Sequence, residues 1–371
     1  MKITLASLTL RVVELLGPKH AFTLTGGMAM YLNNAVHQSK VIRPVYCQHE
    51  QACVAAAEGY AKTKDFKVPG LAVVTAGPGV SNCITSLISA YGDSTPLIVL
   101  AGQIKEEDID RYGTRTHGIQ EIDSQSIIEP VVKKFIRLNI EDYENQIIET
   151  FTECLSGRKG PVFIEIPLNI QGKLIDISES YIKNIYKKIV ESIHQKDISV
   201  NKNNEIINQY FKQLVSAKKP VIYLGNGVRI SGVIDIVRKF AEINNIPLLF
   251  SWLSFDQIEY NHRLNFGCPG GLAPIYSNKI LMECDFIIFL GARLDLGTTA
   301  FQRKQFASQA KRVIIDVDKS ELKKFESYKN TVTINFNLKF LEKILDKTQV
   351  CLKHFEWLNY CQTLKEKYLL E

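Results

Sequence analysis

The chain has 371 residues, of which 46% are hydrophobic and 23% charged, and its formal net charge is +6. This is an ordinary globular composition, and the length is ample for two domains. The basic residues are scattered among acidic ones, as in KEEDIDR, which argues against the clustered basic face of a nucleic-acid-binding protein. The longest apolar runs are strand-sized, so we expect no segment that spans a membrane.

Eight cysteines are present, and no two of them form a C-x-x-C pair. Several lie within apolar runs, where a reduced cysteine behaves as a small hydrophobic side chain. The N-terminal stretch MKITLASLTLRVVELLGP is amphipathic and does not resemble a secretory leader. We therefore expect a cytoplasmic protein with reduced thiols.

Short apolar runs alternate with helical patterns through the first part of the chain. The predicted strands are HAFTLT, RPVYC, GLAVVTA, PLIVLAG and GPVFIEIP, and the predicted helices cover residues 28–36, 49–64 and 81–91. Nearly continuous apolar strands are typical of parallel strands that are buried on both faces. The βαβ order predicts a doubly wound α/β domain over residues 1–172.

The same rhythm returns after an interruption. Residues 173–203 are polar and rich in lysine and asparagine, and we interpret them as a linker. Residues 204–347 form the second predicted α/β domain, with the strands PVIYLGNG, IPLLFS, DFIIFLGARLD, KRVIIDVD and NTVTINF. Residues 348–371 read as a C-terminal helix that leads away from this domain. The predicted fold class is α/β, with two doubly wound parallel-sheet domains.

Two glycine turns follow strands of the first domain. In VVTAGPGVSN, an apolar strand ends at the bend Gly77-Pro78-Gly79, and Ser81 or Asn82 is placed to cap the next helix. The segment LTGGMAM repeats the arrangement after the first strand. Such bends let a ligand approach the backbone at the carboxyl ends of parallel strands, although they also occur as plain strand–turn–helix connections. Neither turn matches G-x-G-x-x-G or a P-loop.

A third feature at the same predicted edge is Glu50, which opens the helix QHEQACVAAAEGYAK. A glutamate in the first helical turn also complements the helix dipole, so its position alone does not decide its role. The helix that follows is rich in small residues, which suits close helix or subunit packing. A carboxylate at the head of such a helix is partly desolvated and suited to sharing a proton.

The sequence resembles the thiamine diphosphate enzymes. The stretches that carry the likeness to their pyrimidine-binding domain are HEQACVAAAEGYAK, GPGVSN and GIQE. The stretches that are similar to their central domain are AKKPVIYLGNGV, FGCPGG, DFIIFLGARLD and VIIDVDKSEL. The nearest type is acetolactate synthase, together with related 2-oxo acid carboligases and decarboxylases. The resemblance covers nearly the whole chain.

The resemblance implies roles for individual residues. Glu50 would hydrogen-bond the pyrimidine ring nitrogen and favour the imino tautomer that takes the thiazolium C2 proton. Gln120 would lie near the thiazolium and the substrate, a small-molecule 2-oxo acid. The residues implied over the reacting centre and around the pyrimidine are Gly26, Gly27, Gly77, Pro78, Gly79 and Asn82.

The central domain raises the question of FAD, which acetolactate synthases hold there without using it for redox chemistry. The positions that match are Gly225, Gly227, Gly267, Gly291, Arg293, Asp295, Asp316 and Asp318. Two departures weaken the match, because Gly297 stands where the family has a second arginine and Pro269 where it has a histidine. The glycines also read as ordinary strand-end turns, so the flavin remains an open alternative.

One family element is missing. The third domain of these enzymes binds the diphosphate through Mg²⁺ with a Gly-Asp-Gly motif, and no Gly-Asp-Gly occurs in this sequence. We therefore expect no metal ligands on the chain. Three explanations stay open: a partner chain carries the diphosphate-binding domain, the sequence is a fragment, or catalysis has been lost. Because the family's active sites form between subunits, a homodimer is expected.

Smaller departures concern the substrate. Ile119 precedes Gln120 where acetolactate synthases have phenylalanine, and Leu168 replaces a lysine. The product is therefore left open between acetolactate, the product of a sugar or aldehyde acceptor, and simple decarboxylation. A non-catalytic binding or scaffold protein is the alternative from another class. An NAD-dependent oxidoreductase is disfavoured because the dinucleotide fingerprint is absent.

Overall fold

The computed structural model describes residues 1–199, 203–345 and 354–369. The chain divides into two compact units, Met1–Lys196 and Asp197–Glu371, and each is described by itself. Cys351 and the predicted domain boundary after residue 347 lie outside the described residues.

The first unit is built on a six-stranded parallel sheet, with a separate two-stranded antiparallel ribbon. The strands are β1 Lys2–Thr4, β2 His20–Thr23, β3 Arg43–Tyr46, β4 Gly70–Val74, β5 Leu97–Gln103, β6 Lys134–Arg137, β7 Pro161–Pro167 and β8 Leu174–Asp176. The helices are α1 Leu5–Leu15, α2 Met30–Gln38, α3 Glu50–Thr63, α4 Pro78–Ser81, α5 Ile84–Gly92, α6 Ser124–Ile128, α7 Tyr143–Leu155, α8 Leu168–Gln171 and α9 Glu179–Ser199. The sheet order is β3-β2-β4-β5-β7-β6, and β1 pairs with β8.

Both faces of this sheet are covered, as the apolar strands predict. Successive side chains of a strand point to opposite faces. Accordingly, Leu71 and Val73 of β4 belong to one hydrophobic cluster, and Ala72 and Val74 belong to another. The strand RPVYC departs from the expectation of two buried faces, because β3 lies at the edge of the sheet and is largely exposed.

The second unit holds a five-stranded parallel sheet in the order β10-β9-β11-β12-β13. Its strands are β9 Pro220–Leu224, β10 Leu248–Phe250, β11 Phe286–Leu290, β12 Lys311–Asp316 and β13 Thr331–Asn335. Its helices are α10 Asn204–Ser216, α11 Asn226–Ser231, α12 Ile234–Asn244, α13 Ile275–Glu283, α14 Lys319–Lys323, α15 Glu342–Leu345 and α16 Phe355–Lys367. All five strands were predicted, and the two parallel sheets confirm the fold class.

The segment interpreted as a linker is largely helical. Within residues 173–203, β8 pairs with β1, and α9 buries Ile182, Ile185 and Ile189 in the core of the first unit. The spacing of these isoleucines gives the helix one apolar face, while lysines such as Lys188 pair with acidic residues of α7. The linker interpretation was wrong for residues 179–199, because the high polarity of the other faces hid this stripe.

The C-terminal helix is present as α16, and it belongs to the second unit's core. Trp357, Leu358, Cys361 and Leu364 are buried in that core, and the indole nitrogen of Trp357 donates to the carbonyl of Pro220 at 3.0 Å. The helix therefore packs on the central domain rather than only leading away from it.

Three further observations concern the described ranges alone. No helix in them has the length and apolar composition to cross a bilayer. No three side chains of the types that ligate metals come together there. The cysteines they contain are all free thiols, namely Cys47, Cys53, Cys83, Cys154, Cys268, Cys284 and Cys361.

Candidate cofactor site

Glu50 is the first residue of α3 and is buried, with 8% of its surface exposed. His49 caps the helix, because its Nδ1 accepts a hydrogen bond from the backbone N–H of Gln51 at 3.2 Å. The Glu50 carboxylate is therefore not needed for capping, and it instead accepts a hydrogen bond from the amide of Asn82 at 2.9 Å. The other carboxylate oxygen, Oε1, lies beside Gly79.

The bend after β4 places the partners of Glu50. Gly77 has a φ of 62°, in the left-handed region that favours glycine, and it is followed by the single turn of α4. A β-carbon at Gly79 would lie 2.9 Å from Cγ2 of Thr75 and 3.7 Å from Oε1 of Glu50, so glycine leaves the carboxylate accessible.

Neither Ser81 nor Asn82 caps the next helix, contrary to our prediction, and Asn82 has a different partner. It ends α4, and the residue that precedes α5 is Cys83, which makes no side-chain cap. Asn82 has helical backbone angles and so is not at a capping position, and its side-chain N–H donates to the Glu50 carboxylate. The side chain thus lies beside Glu50 at the candidate site, and its contact with a pyrimidine ring stays a prediction.

Gly26 and Gly27 lie at the end of the neighbouring strand β2. A β-carbon at Gly26 would come within 2.5 Å of Thr75, whereas one at Gly27 would meet no described atom within 4 Å. The amide of Asn33 donates to the carbonyl of Gly26 at 3.2 Å and holds this turn. Gly26 therefore packs tightly against Thr75, and Gly27 faces open space.

The two glycine turns and Glu50 lie where the order of the strands reverses. The chain runs from β2 to its neighbour β3 on one side and then crosses to β4 on the other. Ligands of open α/β sheets bind in the crevice at such a reversal, beyond the carboxyl ends of the strands. Gly26 follows β2, Glu50 follows β3, and Gly77 follows β4. The structure therefore brings together the candidates that the sequence placed on one edge.

Gln120 reaches the same edge through its main chain. It has a φ of 61°, and a β-carbon at Gly77 would lie 2.1 Å from its carbonyl oxygen. Its side chain is exposed, as is that of Ile119, of which 78% of the surface is accessible. The structure thus places Gln120 against the glycine bend, in an exposed loop between β5 and α6.

Thr75 is a site residue that the sequence analysis did not name. It lies between Gly26 and Gly79, and its hydroxyl oxygen is buried without a hydrogen-bond partner in the described part of the chain. A buried and unpaired hydroxyl costs free energy, and the chain itself covers this one, because Thr75 packs against Gly26. Its position directly after an apolar strand and before the glycine bend was the available signal.

The electrostatic surroundings of Glu50 are neutral thiols. Burial raises the pKa of the Cys53 thiol to about 12, and nearby Cys47 and the Glu50 carboxylate add to the shift. Burial likewise raises the pKa of Cys83. Both thiols therefore stay protonated at neutral pH, and neither repels the Glu50 carboxylate.

The other glutamate of the same helix has a different environment. Glu58 is also buried, but its carboxylate lies 2.7 Å from the ammonium of Lys62 and accepts a hydrogen bond from Ser89. Lys62 also contacts Asp93 at 2.7 Å. Glu58 thus ties α3 to α5, whereas Glu50 faces the glycine bend.

The central-domain candidates also lie at the carboxyl edge of their sheet, but their glycines serve the packing of the chain. A β-carbon at Gly225 would lie 2.0 Å from the carbonyl oxygen of Gly291, and one at Gly227 would lie 2.7 Å from its Cα. Gly267, with a φ of 72°, packs against Ser277. These contacts explain the glycines without a ligand.

The acidic candidates of this domain have local partners. Asp295 forms an ion pair with Arg293 at 3.3 Å. Asp316 accepts a hydrogen bond from the backbone of Asp318, and Asp318 caps α14 through Ser320. The contacts of these residues therefore give no separate support for a flavin.

By contrast, the first unit fits a pyrimidine ring. The sheet edge at the strand reversal offers a buried carboxylate and glycines that keep side chains out of the way. An apolar ring with polar edges needs few but well-placed polar partners. The Glu50 carboxylate has the chemistry of such a partner.

Comparisons with known proteins identify the family of both units. Residues 3–127 match the family model "Thiamine pyrophosphate enzyme, N-terminal TPP binding domain", and residues 207–340 match "Thiamine pyrophosphate enzyme, central domain". The acetolactate synthase large subunit of Lactococcus lactis is 31% identical over 364 residues, which cover 98% of this chain and 60% of that protein. The large subunit of acetolactate synthase isozyme 1 of Escherichia coli is 30% identical over 329 residues, or 88% and 54% of the two chains.

The chloroplastic acetolactate synthase of Arabidopsis thaliana is 28% identical over 370 residues, which cover 98% of this chain and 53% of that protein. The chain thus spans little more than half the length of these curated relatives. Within that span, both family models match in the order of the two structural units. The chain belongs to the thiamine pyrophosphate enzyme family, of which it comprises the N-terminal and central domains.

Proposed function

We propose that the chain is the pyrimidine-binding and central part of an enzyme that decarboxylates a 2-oxo acid such as pyruvate and joins the remaining carbons to an acceptor. The observation that carries the proposal is the buried Glu50 carboxylate, which faces the Gly79 bend and has Asn82 as its partner. A non-catalytic scaffold would have no use for a desolvated carboxylate at this point.

Each residue of the site has a defined task in this proposal. When bound, thiamine diphosphate supplies a nucleophilic carbon for attack on the keto group. Glu50 holds a proton between its carboxylate and the pyrimidine ring nitrogen, and Asn82 fixes the orientation of that carboxylate. Thr75 supports the turn at Gly26 by packing beneath it, and Gln120 lies against Gly77, from where it would contact the substrate.

We further propose that the diphosphate and Mg²⁺ are held by a domain outside this sequence. The sequence has no Gly-Asp-Gly motif, and the described residues bring no metal-ligating cluster together. The domain would come from a separate chain or from the remainder of a longer protein. We place the assembly in the cytoplasm, where its thiols would stay reduced.

The experiment that tests the function is release of CO₂ from pyruvate with thiamine diphosphate and Mg²⁺. It is run with the chain alone and with each protein encoded beside it. Release that requires a partner supports a divided enzyme. If no candidate partner, and no longer form of the chain, yields CO₂ from any 2-oxo acid, the catalytic proposal is wrong and a binding role remains.

Two residues of the chain bear on which acceptor substrate receives the carbons that remain after decarboxylation. Ile119 is exposed beside Gln120, and Leu168 begins α8, where related enzymes carry phenylalanine and lysine. These changes count against a second pyruvate as the acceptor, and they leave a sugar or aldehyde acceptor and simple decarboxylation as the alternatives. Mass spectrometry of the products formed from labelled pyruvate with each acceptor distinguishes acetolactate from other condensation products.

We propose a homodimer in which α3 lies at the interface. One face of this helix carries the exposed small residues Ala52, Ala55 and Gly59, beside the exposed Gln51. We expect Ala55→Arg to convert the dimer to a monomer in sedimentation velocity, because an arginine prevents close approach of two backbones. Gln38→Arg at the exposed end of α2 is the matched control and should leave the dimer intact. A dimer that survives Ala55→Arg would place the interface elsewhere.

FAD binding stays a prediction that purification can check. If the central domain holds a flavin, protein purified without added cofactor releases a yellow, fluorescent compound on denaturation. Substitution of Asp316 by alanine should then reduce the flavin content. A colourless protein that takes up no FAD at excess concentration would assign the glycines of this domain to packing alone.

A further inference from the structure

The loop between β5 and α6 carries Ile119 and Gln120 and is closed by one buried side chain. The loop covers residues 104–123 and, apart from the 3₁₀ turn Glu106–Asp108, has no regular structure. Glu121, which directly follows Gln120, is only 8% exposed. Its carboxylate points back into the loop instead of outwards.

Both carboxylate oxygens of Glu121 accept hydrogen bonds from the backbone. Oε1 accepts from the N–H of Asp110 at 2.5 Å. Oε2 accepts from the N–H of His117 at 2.9 Å and of Gly118 at 2.8 Å. The donors come from both ends of the segment 110–118, so a single side chain closes the loop on itself.

The ionised form of Glu121 makes these contacts. Burial disfavours the charge, but hydrogen bonds from the backbone of Asp110, Gly118 and His117 outweigh it and hold the pKa of Glu121 below its usual range. An ionised acceptor with three N–H donors makes stronger hydrogen bonds than a neutral one. The loop is therefore held by a charged group at neutral pH.

The same contacts fix the peptide of Gln120. Gln120 is in the left-handed region, and its carbonyl lies against Gly77, where a β-carbon would come within 2.1 Å. A second main-chain contact, from the N–H of Glu121 to the carbonyl of Gly118 at 3.3 Å, tightens the turn. Loss of the hydrogen bonds to the Glu121 carboxylate would therefore let the backbone of Gln120 move.

We propose that Glu121 is a positioning residue. Its carboxylate orders the segment 110–118 of the loop and thereby holds Gln120 against the glycine bend. The role of Gln120 in binding the 2-oxo acid rests on the proposed function, whereas the ordering of the loop does not. The experiment therefore has two arms, and they can fail separately.

The first arm measures loop order in the chain as it stands. Arg111 and Arg115 are exposed within the loop and serve as trypsin sites. We expect Glu121→Gln to speed cleavage at both arginines, and amide exchange of Asp110, His117 and Gly118, by about tenfold or more, since each charged hydrogen bond contributes at least that factor. The melting temperature should change little, because the loop buries few apolar groups.

The matched control is Glu107→Gln in the same loop. Its carboxylate is exposed and lies 3.9 Å from the ammonium of Lys105. In the described part of the chain, no backbone N–H donates a hydrogen bond to it. Cleavage and exchange should stay at the wild-type rate. If Glu121→Gln does not fold, Glu121→Asp keeps the charge on a shorter stem and should give an intermediate rate. Wild-type rates in both Glu121 variants would overturn the proposal.

The second arm uses the assembled enzyme with pyruvate. We expect Glu121→Gln to lower kcat by about tenfold or more and to leave the affinity for thiamine diphosphate within about twofold, because Glu121 contacts the loop and not Glu50. A loosened loop with unchanged kcat would overturn the positioning of Gln120. A loosened loop in a protein that never turns over a 2-oxo acid would refute the proposed function and leave the loop assignment standing.

Discussion

Replacement of Glu50 by glutamine is expected to lower thiamine diphosphate-dependent turnover by about 10²–10⁴-fold, the usual contribution of a positioned acid–base group. The amide of glutamine is neutral and cannot exchange a proton with the pyrimidine ring. The fold should tolerate the change, because Asn82 can still donate to the new carbonyl oxygen and His49 still caps the helix. Steady-state rates and thermal melts of the assembled enzyme measure the two effects.

Glu58→Gln is the matched control for this experiment. Glu58 lies on the same helix and is equally buried, but it binds Lys62 and Ser89. Its replacement should lower the free energy of unfolding by about 1 kcal/mol, because charged hydrogen bonds between α3 and α5 are weakened, and should leave turnover nearly unchanged. If Glu50→Gln instead destabilises the fold and spares turnover, Glu50 is a structural residue.

Substitution of Gly77 by alanine is expected to damage both the fold and the site. The residue has a φ of 62°, and the added β-carbon would lie 2.1 Å from the carbonyl oxygen of Gln120. Strain and collision together should lower the free energy of unfolding by about 2–5 kcal/mol. Cofactor affinity should fall as well, because relief of the clash shifts either the bend that carries Gly79 beside Glu50 or the loop that carries Gln120.

Gly113→Ala separates the two causes. Gly113 has a φ of 73°, but a β-carbon there would meet no described atom within 4 Å. This variant should show the cost of backbone strain alone and should bind the cofactor normally. Denaturant unfolding and cofactor titration measure the two substitutions. Equal effects would mean that the close approach of Gln120 to Gly77 contributes neither to the free energy of unfolding nor to cofactor affinity.

Much of the candidate site could be predicted from the sequence because it follows strand ends. Once the strands were placed, Gly26, Glu50 and Gly77 had to lie at one edge of a parallel sheet, and the structure places them there. The role of Gln120 came only from the family resemblance, since nothing in the local pattern singles out an exposed loop residue. The functional roles of all these residues remain predictions.

Two residues of the site were missed for different reasons. Thr75 was visible as a polar residue at a strand end, but its importance depends on its packing between Gly26 and Gly79, which only coordinates reveal. Glu121 depends on a loop closure in which donors up to eleven residues away converge on one carboxylate. Such a contact has no signature in spacing or periodicity.

The fold shows a similar division between visible and hidden features. Long apolar strands such as β5 and β11 were found because burial on both faces requires continuous hydrophobicity. Helix α9 was missed because only one narrow apolar face identifies it among polar residues. Strand β6 was missed because it is short and carries charged residues at both ends.

The central claim is that the Glu50 carboxylate acts on a pyrimidine ring nitrogen, and a double-mutant cycle tests it most directly. The affinity of the assembled enzyme, with Glu50 or with glutamine, is measured for thiamine diphosphate and for an analogue that has C–H in place of that nitrogen. We predict that either change alone weakens binding and that both together cost no more than one, with a coupling of about 1.5–3 kcal/mol. Losses that simply add would show that the two groups do not interact, and would contradict the account.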